Sequence, residues 1–224
     1  MNWKIKEQPG KEILEELHSK LNIPKFICTL LLQRNIDSLK LAQAYFRPNL
    51  DELHDPFLMK DMDKTVERLT RAIESNEKIM ILGDYDVDGT TSVSMLYNYF
   101  KKKALDPIFY IPDRYKEGYG VSDESIDFAE ENNVSLLITI DCGIKANDKI
   151  ESANTRGIDV IICDHHIPDN NIPKAYSIIN PNQNQCDYPF KGLCGCGIGF
   201  KLISAIEKKT GGNEDINQYL DLVA

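Results

Sequence analysis

Apolar positions follow two regimes along this chain. Up to about residue 76 they recur at helical spacing. Ile13, Leu14, Leu17 and Leu21 would line one face of a helix over 11–21. Pro24 opens a second helical stretch, 26–32, and a third, 38–46, is stopped by Pro48. Residues 50–59, with Pro56, show no period, and 63–75 puts Val66, Leu69, Ala72 and Ile73 on one face of a fourth helix. From Lys78 onward, short uninterrupted apolar runs alternate with amphipathic segments. Strands are expected at 78–83, 107–111, 134–140, 158–163 and 175–180. Helices are expected at 90–103, 123–131, 145–156 and 195–209, the last opening as a glycine-rich turn. Runs rich in β-branched residues and leucine with no polar break read as strands buried on both faces of a parallel sheet. The predicted fold class is α/β: a mostly parallel sheet flanked by helices, with right-handed crossovers. The expected domains are a helical extension, 1–76, packed on an α/β domain, 77–224.

Three of the apolar runs end on an aspartate: 78–83 on Asp84, 135–140 on Asp141, and 159–163 on Asp164-His165-His166. Parallel strands place their carboxyl ends on one edge, where ligands of open α/β sheets bind. Asp84, Asp86, Asp88, Asp141, Asp164, His165 and His166 should therefore converge. So many like charges in a low-dielectric cleft require a cation. Carboxylates with imidazole and no thiolate suit manganese or magnesium.

Gly83-Asp84-Tyr85-Asp86-Val87-Asp88-Gly89 superficially matches a calcium-binding EF-hand loop. The twelfth position from Asp84 is Met95 instead of glutamate, and a strand precedes instead of a helix. A strand-to-helix turn fits better. Asp84 and Asp86, two apart on extended backbone, share a direction. Asp88 is expected as a helix N-cap or a supporting group, with the helix starting at Gly89. At the third run, one histidine can bind metal while the other meets a phosphate oxygen, and Asp164 can fix a ring tautomer. Arg114 is placed either to clamp a phosphate or to pair with Glu117. Tyr115 and Tyr119 either stack on bases or pack inward. Gly195, Gly197 and Gly199 resemble a phosphate-cradling turn.

Composition narrows the classes. The net charge of −9 excludes a simple basic nucleic-acid binder, and 42% hydrophobic residues suffice for a core. No apolar run approaches the roughly 18 residues of a membrane span, and no signal peptide is legible. Six irregularly spaced cysteines imply reduced thiols in the cytoplasm. Cys142 and Cys163 read as small buried hydrophobes. Cys186, Cys194 and Cys196 lack the paired spacing and fourth ligand of a zinc site.

GDYDVDG, DCG and DHH, in this order and spacing, resemble the first three motifs of the DHH phosphoesterase superfamily. Within it they are most similar to the RecJ-like, single-strand-specific 5′-to-3′ exonucleases. The stretches 111–121, 180–183 and 192–201 add to the likeness. The resemblance implies a hydrolase of DNA repair and recombination with two Mn2+ or Mg2+ ions. Its catalytic set would be Asp84, Asp86, Asp141, His165 and His166. Asp84 and Asp86 would be metal ligands, Asp141 a bridge between the metals, His165 a ligand, and Asp164 at or near the metal. His166 would touch the scissile phosphate, with Arg114, Gly195 and Gly197 as further substrate contacts. The implied partners are single-stranded DNA and either a single-strand-binding protein or a helicase. Two departures stand out. Met80, Ile81 and Leu82 occupy a stretch where some members carry a histidine ligand. The family's fourth motif, another aspartate, is expected a few residues past Asp221, so the chain reads as truncated. The alternatives are a DHH enzyme on short oligonucleotides, cyclic dinucleotides or pyrophosphate, or an inactive scaffold.

Overall fold

The computed structural model describes residues 3–212 and 214–224, which form two compact units, Met1–Leu53 and His54–Ala224. In the first, α1 (Lys11–Leu21), α2 (Lys25–Leu32) and α3 (Leu39–Phe46) enclose a small core of Leu17, Cys28, Leu31 and Ala42. Ser38 caps α3, its side chain accepting from Leu41 N.

The second unit begins ahead of the expected division at 76/77. Its first helix, α4 (Met62–Glu74), buries Met62, Val66, Leu69 and Ala72 in the main core. Five parallel strands follow: β1 (Ile79–Gly83), β2 (Ile108–Tyr110), β3 (Leu136–Ile140), β4 (Asp159–Cys163) and β5 (Ser177–Ile179), in the order β2-β1-β3-β4-β5. Helices α5 (Val87–Lys102), α6 (Asp123–Glu131) and α7 (Asn147–Thr155) alternate with the first four strands, and α8 (Gly195–Thr210) and the short α9 (Leu220–Val223) follow β5.

Period-2 geometry splits the strand residues between two cores. Ile79, Ile81, Ile138 and Ile161 pack with α4, α5 and α8, whereas Met80, Leu82, Leu137 and Val160 pack with α6 and α7. Because β1 and β3 are covered on both faces, all ten of their residues are buried. This explains why the runs lack polar interruptions. The register pairs Gly83 with Ile140 and Ile140 with Cys163, so the three aspartate-bearing ends lie level on one edge. Strand order reverses between β1 and β3, and the crevice at such a reversal is where doubly wound sheets bind ligands. Among the described residues no helix is long and apolar enough to cross a membrane.

Candidate metal centre

Asp84 leaves β1 buried, 1% exposed, and accepts from Gly120 N at 3.3 Å. Desolvation raises its pKa above the ordinary aspartate value. Asp86, exposed, caps α5 by accepting from Gly89 N at 2.9 Å. The helix therefore starts at Val87, before the expected Thr90, and Asp86 takes the capping role expected of Asp88. A Cβ on Gly89 would collide with the Asp84 backbone, which is why this turn tolerates no side chain there.

Asp141 ends β3 in the left-handed region, φ 61°, a conformation that costs a non-glycine residue on the order of 1–3 kcal/mol. Its carbonyl accepts from Tyr119 Oη at 2.9 Å. The residue is 2% exposed, and Oδ1 has no hydrogen-bond partner among the described residues. His165 Nε2 lies 3.1 Å from that oxygen, an ion-pair distance. Burial pushes the Asp141 pKa up to about 6, and the adjacent carboxylate raises that of His165. Ligand atoms of Asp141, His165 and His166 lie within 4.8 Å of one another. Among the described residues, Asp84, Asp86 and Asp164 fall outside this group.

Asp164, expected at or near the metal, sits beneath the two histidines. Its Oδ1 accepts from His165 N at 2.7 Å, His166 N at 3.1 Å and His166 Nδ1 at 2.7 Å, and its Oδ2 accepts from Ile144 N at 3.0 Å. Protein donors thus engage both oxygens. Asp164 orients the His166 ring, whose Nε2 lies 3.3 Å from Tyr119 Oη. His166 and Tyr119 line a cleft of about 720 Å³ bounded by Gly143–Lys149 and Asn171.

The N–H groups of the expected phosphate cradle are taken by protein acceptors. Gly195 and Gly197 lie in the first turn of α8 itself, with no separate turn ahead of it. Gly195 N and Cys196 N donate to Asp88 Oδ2 and Oδ1, each at 2.7 Å, and Gly197 N donates to Cys194 Sγ at 3.3 Å. A carboxylate from α5 already occupies the place of an anion. Gly195 is needed for close approach, since a Cβ there would stand 2.6 Å from Asp141 Cβ.

Arg114 is exposed, its guanidinium 5.2 Å from the centre of the Tyr85 ring. It does not pair with Glu117. That carboxylate instead accepts from Asp113 N, Tyr110 Oη and Ser122 Oγ. Tyr115 and Tyr119 are both exposed. Asn180 and Asn182 lie outside the expected set of site residues. Their amides donate to the carbonyls of His166, at 2.9 Å, and His165, at 2.7 Å, and fix the histidine loop. The available signal was two asparagines straddling Pro181 just past a strand end. All six cysteines are free thiols, Cys142 and Cys163 fully buried.

A parallel sheet carrying aspartates and paired histidines at its carboxyl edge defines the class. The profile of the DHH family, N-terminal domain, matches residues 78–224, and the chain belongs to this family. It is 40% identical over 206 residues to the single-stranded-DNA-specific exonuclease RecJ of Bacillus subtilis (strain 168), which covers 92% of this chain and 26% of that protein. It therefore spans about a quarter of that relative's length. Among solved structures, an exonuclease RecJ bound to manganese superposes with a TM-score of 0.67 at 30% identity, covering 74% of this chain and 42% of that one. RecJ of Thermus thermophilus in complex with Mn2+ gives 0.77 at 22% identity over 99% of this chain and 31% of that one, a likeness of fold. The same protein has been solved with Mg2+.

Proposed function

We propose that this chain is the metal-dependent phosphodiesterase part of a RecJ-like enzyme that shortens single-stranded DNA from its 5′ end during repair and recombination. The observation that carries this reading is Asp141. A buried carboxylate oxygen with no hydrogen-bond partner, beside an imidazole and at the strand-order reversal, fits a bound cation. Asp141 and His165 would hold a divalent ion, with Asp84 and Asp86 supplying carboxylate oxygens from the neighbouring strand end. This donor set suits Mn2+ or Mg2+, the ions named with the solved relatives. When bound, two such ions supply Lewis acidity toward phosphate and make water acidic enough to attack near neutral pH.

The chain's own groups supply the rest. Asp164 holds the His166 ring so that Nε2 faces the cleft, where it can donate to a non-bridging phosphate oxygen once protonated. Arg114 offers a guanidinium to the backbone, and the exposed rings of Tyr115 and Tyr119 offer stacking surfaces that ignore base identity. The proposed setting is the cytoplasm, where a single-strand-binding protein or a helicase would present the strand.

The test is the full-length protein with Mn2+ on 5′-labelled single-stranded DNA. Release of labelled mononucleotide, absent on blunt duplex and lost in Asp141→Ala, is expected. Release from the 3′ end, or unchanged turnover in Asp141→Ala, would overturn the reading.

A further inference from the structure

Asp88 has no place in the chemistry above, yet it touches two parts of the centre, the start of α8 and the His165 ring. It lies in the first turn of α5. Its two oxygens take the first two N–H groups of α8, which have no partner within that helix. Its Oδ2 also lies 3.6 Å from His165 Nε2, so this ring stands between the carboxylates of Asp88 and Asp141. The α8 turn that Asp88 grips is the one whose Gly195 abuts Asp141. A displacement of that turn changes the room around the unpartnered Oδ1.

We infer that Asp88 is a positioning residue: its carboxylate clamps the start of α8 against Asp141 and aims the His165 ring, without itself ligating metal. A negative group at a helix N-terminus is favoured by the helix dipole as well as by hydrogen bonds, which makes this a firm anchor. Both oxygens face N–H donors, which leaves the ligand role to Asp141. The consequence for metal affinity rests on the function proposed above, whereas the orientation of His165 does not.

The experiment uses the full chain with Asp88→Asn, which keeps one acceptor oxygen but loses the charge and sets an NH2 against an N–H. Imidazole 1H–15N resonances of His165 are recorded without metal, and Mn2+ affinity is measured by following free Mn2+ in electron paramagnetic resonance. Asp88→Asn is expected to keep the fold by circular dichroism, to shift the His165 resonances, and to weaken Mn2+ binding by about 10–100-fold, as loss of a group supporting a ligand does. Should Asp88→Asn fail to fold, Asp88→Ser, with a single hydroxyl acceptor, carries the same two readouts. Unmoved His165 resonances would overturn the proposal. If Mn2+ binding were then lost as fully as in Asp141→Asn, Asp88 would be a ligand. Shifted resonances with unchanged Mn2+ affinity would overturn the coupling to the metal. If the unsubstituted protein bound no Mn2+, the metal reading would fail, and the resonances alone would still decide what Asp88 does.

Discussion

The same three strands, β1, β3 and β4, bury charge at both of their ends and treat it oppositely. At the amino ends, Arg68 of α4 is 5% exposed and fully engaged. Its guanidinium donates to Glu77 Oε1 at 3.2 Å, Glu77 Oε2 at 2.7 Å and Asp159 Oδ2 at 2.7 Å, and Ser135 Oγ donates to Glu77 Oε2 at 3.0 Å. Glu77, Ser135 and Asp159 stand at the starts of the three strands, so one cation ties them together. At the carboxyl ends, Asp84, Asp141 and Asp164 are each no more than 2% exposed, and no arginine or lysine pairs with them among the described residues. The pKa directions record the difference. Arg68 holds the Glu77 carboxyl below its ordinary value, whereas desolvation pushes Asp141 up to about 6. The paired end serves the fold. The unpaired end carries charge that a bound ion would balance.

The contrast can be broken most directly at Asp141. If Asp141 is the ligand proposed above, Asp141→Ala is expected to weaken Mn2+ binding by more than the ~100-fold upper range for supporting groups. Unchanged affinity in calorimetry would mean that the unpaired carboxylate is not there for metal. The next largest effect is at the other end. Arg68→Ala leaves Glu77 and Asp159 without their counter-charge and should cost about 2–4 kcal/mol in urea unfolding, reduced by the partial exposure of both carboxylates. Its Mn2+ affinity should be unaltered. A parallel loss would show that the two ends are coupled.

The pH dependence sharpens the contrast, because the signs are opposite. Glu77, with a lowered folded pKa, contributes stability above its unfolded value near 4.5 that is lost as pH falls through the folded value. Asp141 is raised from 3.8 to about 6 and its carboxylate raises His165 above 6.5, so this coupled pair binds protons more tightly in the folded state. Their contribution is lost as pH rises through the folded values. Metal-free protein should therefore gain stability between pH 8 and pH 5 from this end. Asp141→Asn should raise its Tm at pH 8 by about 2–4 °C, the equivalent of roughly 1 kcal/mol. A lowered Tm would indicate that Asp141 is satisfied without metal. The smallest effect on stability is expected for Arg114→Ala, within about 0.5 kcal/mol. In the full-length protein, the slope of log affinity for single-stranded DNA against log salt should become shallower by about 0.7, one phosphate contact. An identical slope would leave Arg114 as a surface residue stacked on Tyr85.

Much of the architecture was legible because it follows from local rules. Strands buried on both faces cannot carry polar residues, so β1, β3 and β4 announced themselves along with the aspartates that end them. The helix expected over 123–131 has those bounds in the structure, where Ser122 and Ser125 form a capping box at its start. Pairing of Asp164 with His166 was equally readable, since it spans two positions. Errors arose where a local rule had two candidates. Asp86 and Asp88 are both plausible caps, and only the path of the chain from β1 into α5 selected Asp86.

The alternation of strands and helices, and the aspartates and histidines at three strand ends, follow from local periodicity, and the parallel order that such alternation imposes brings those ends to one edge. How those groups divide depends on contacts between distant segments. Asp88 meets Gly195 and Cys196 across 107 and 108 positions, closing as a protein contact what reads as an anion cradle. Asp141 Oδ1 is buried with no partner because α8 approaches so closely that only glycine fits at 195. Burial, desolvation and the absence of a partner depend on what packs from elsewhere in the chain, and no local pattern carries that information.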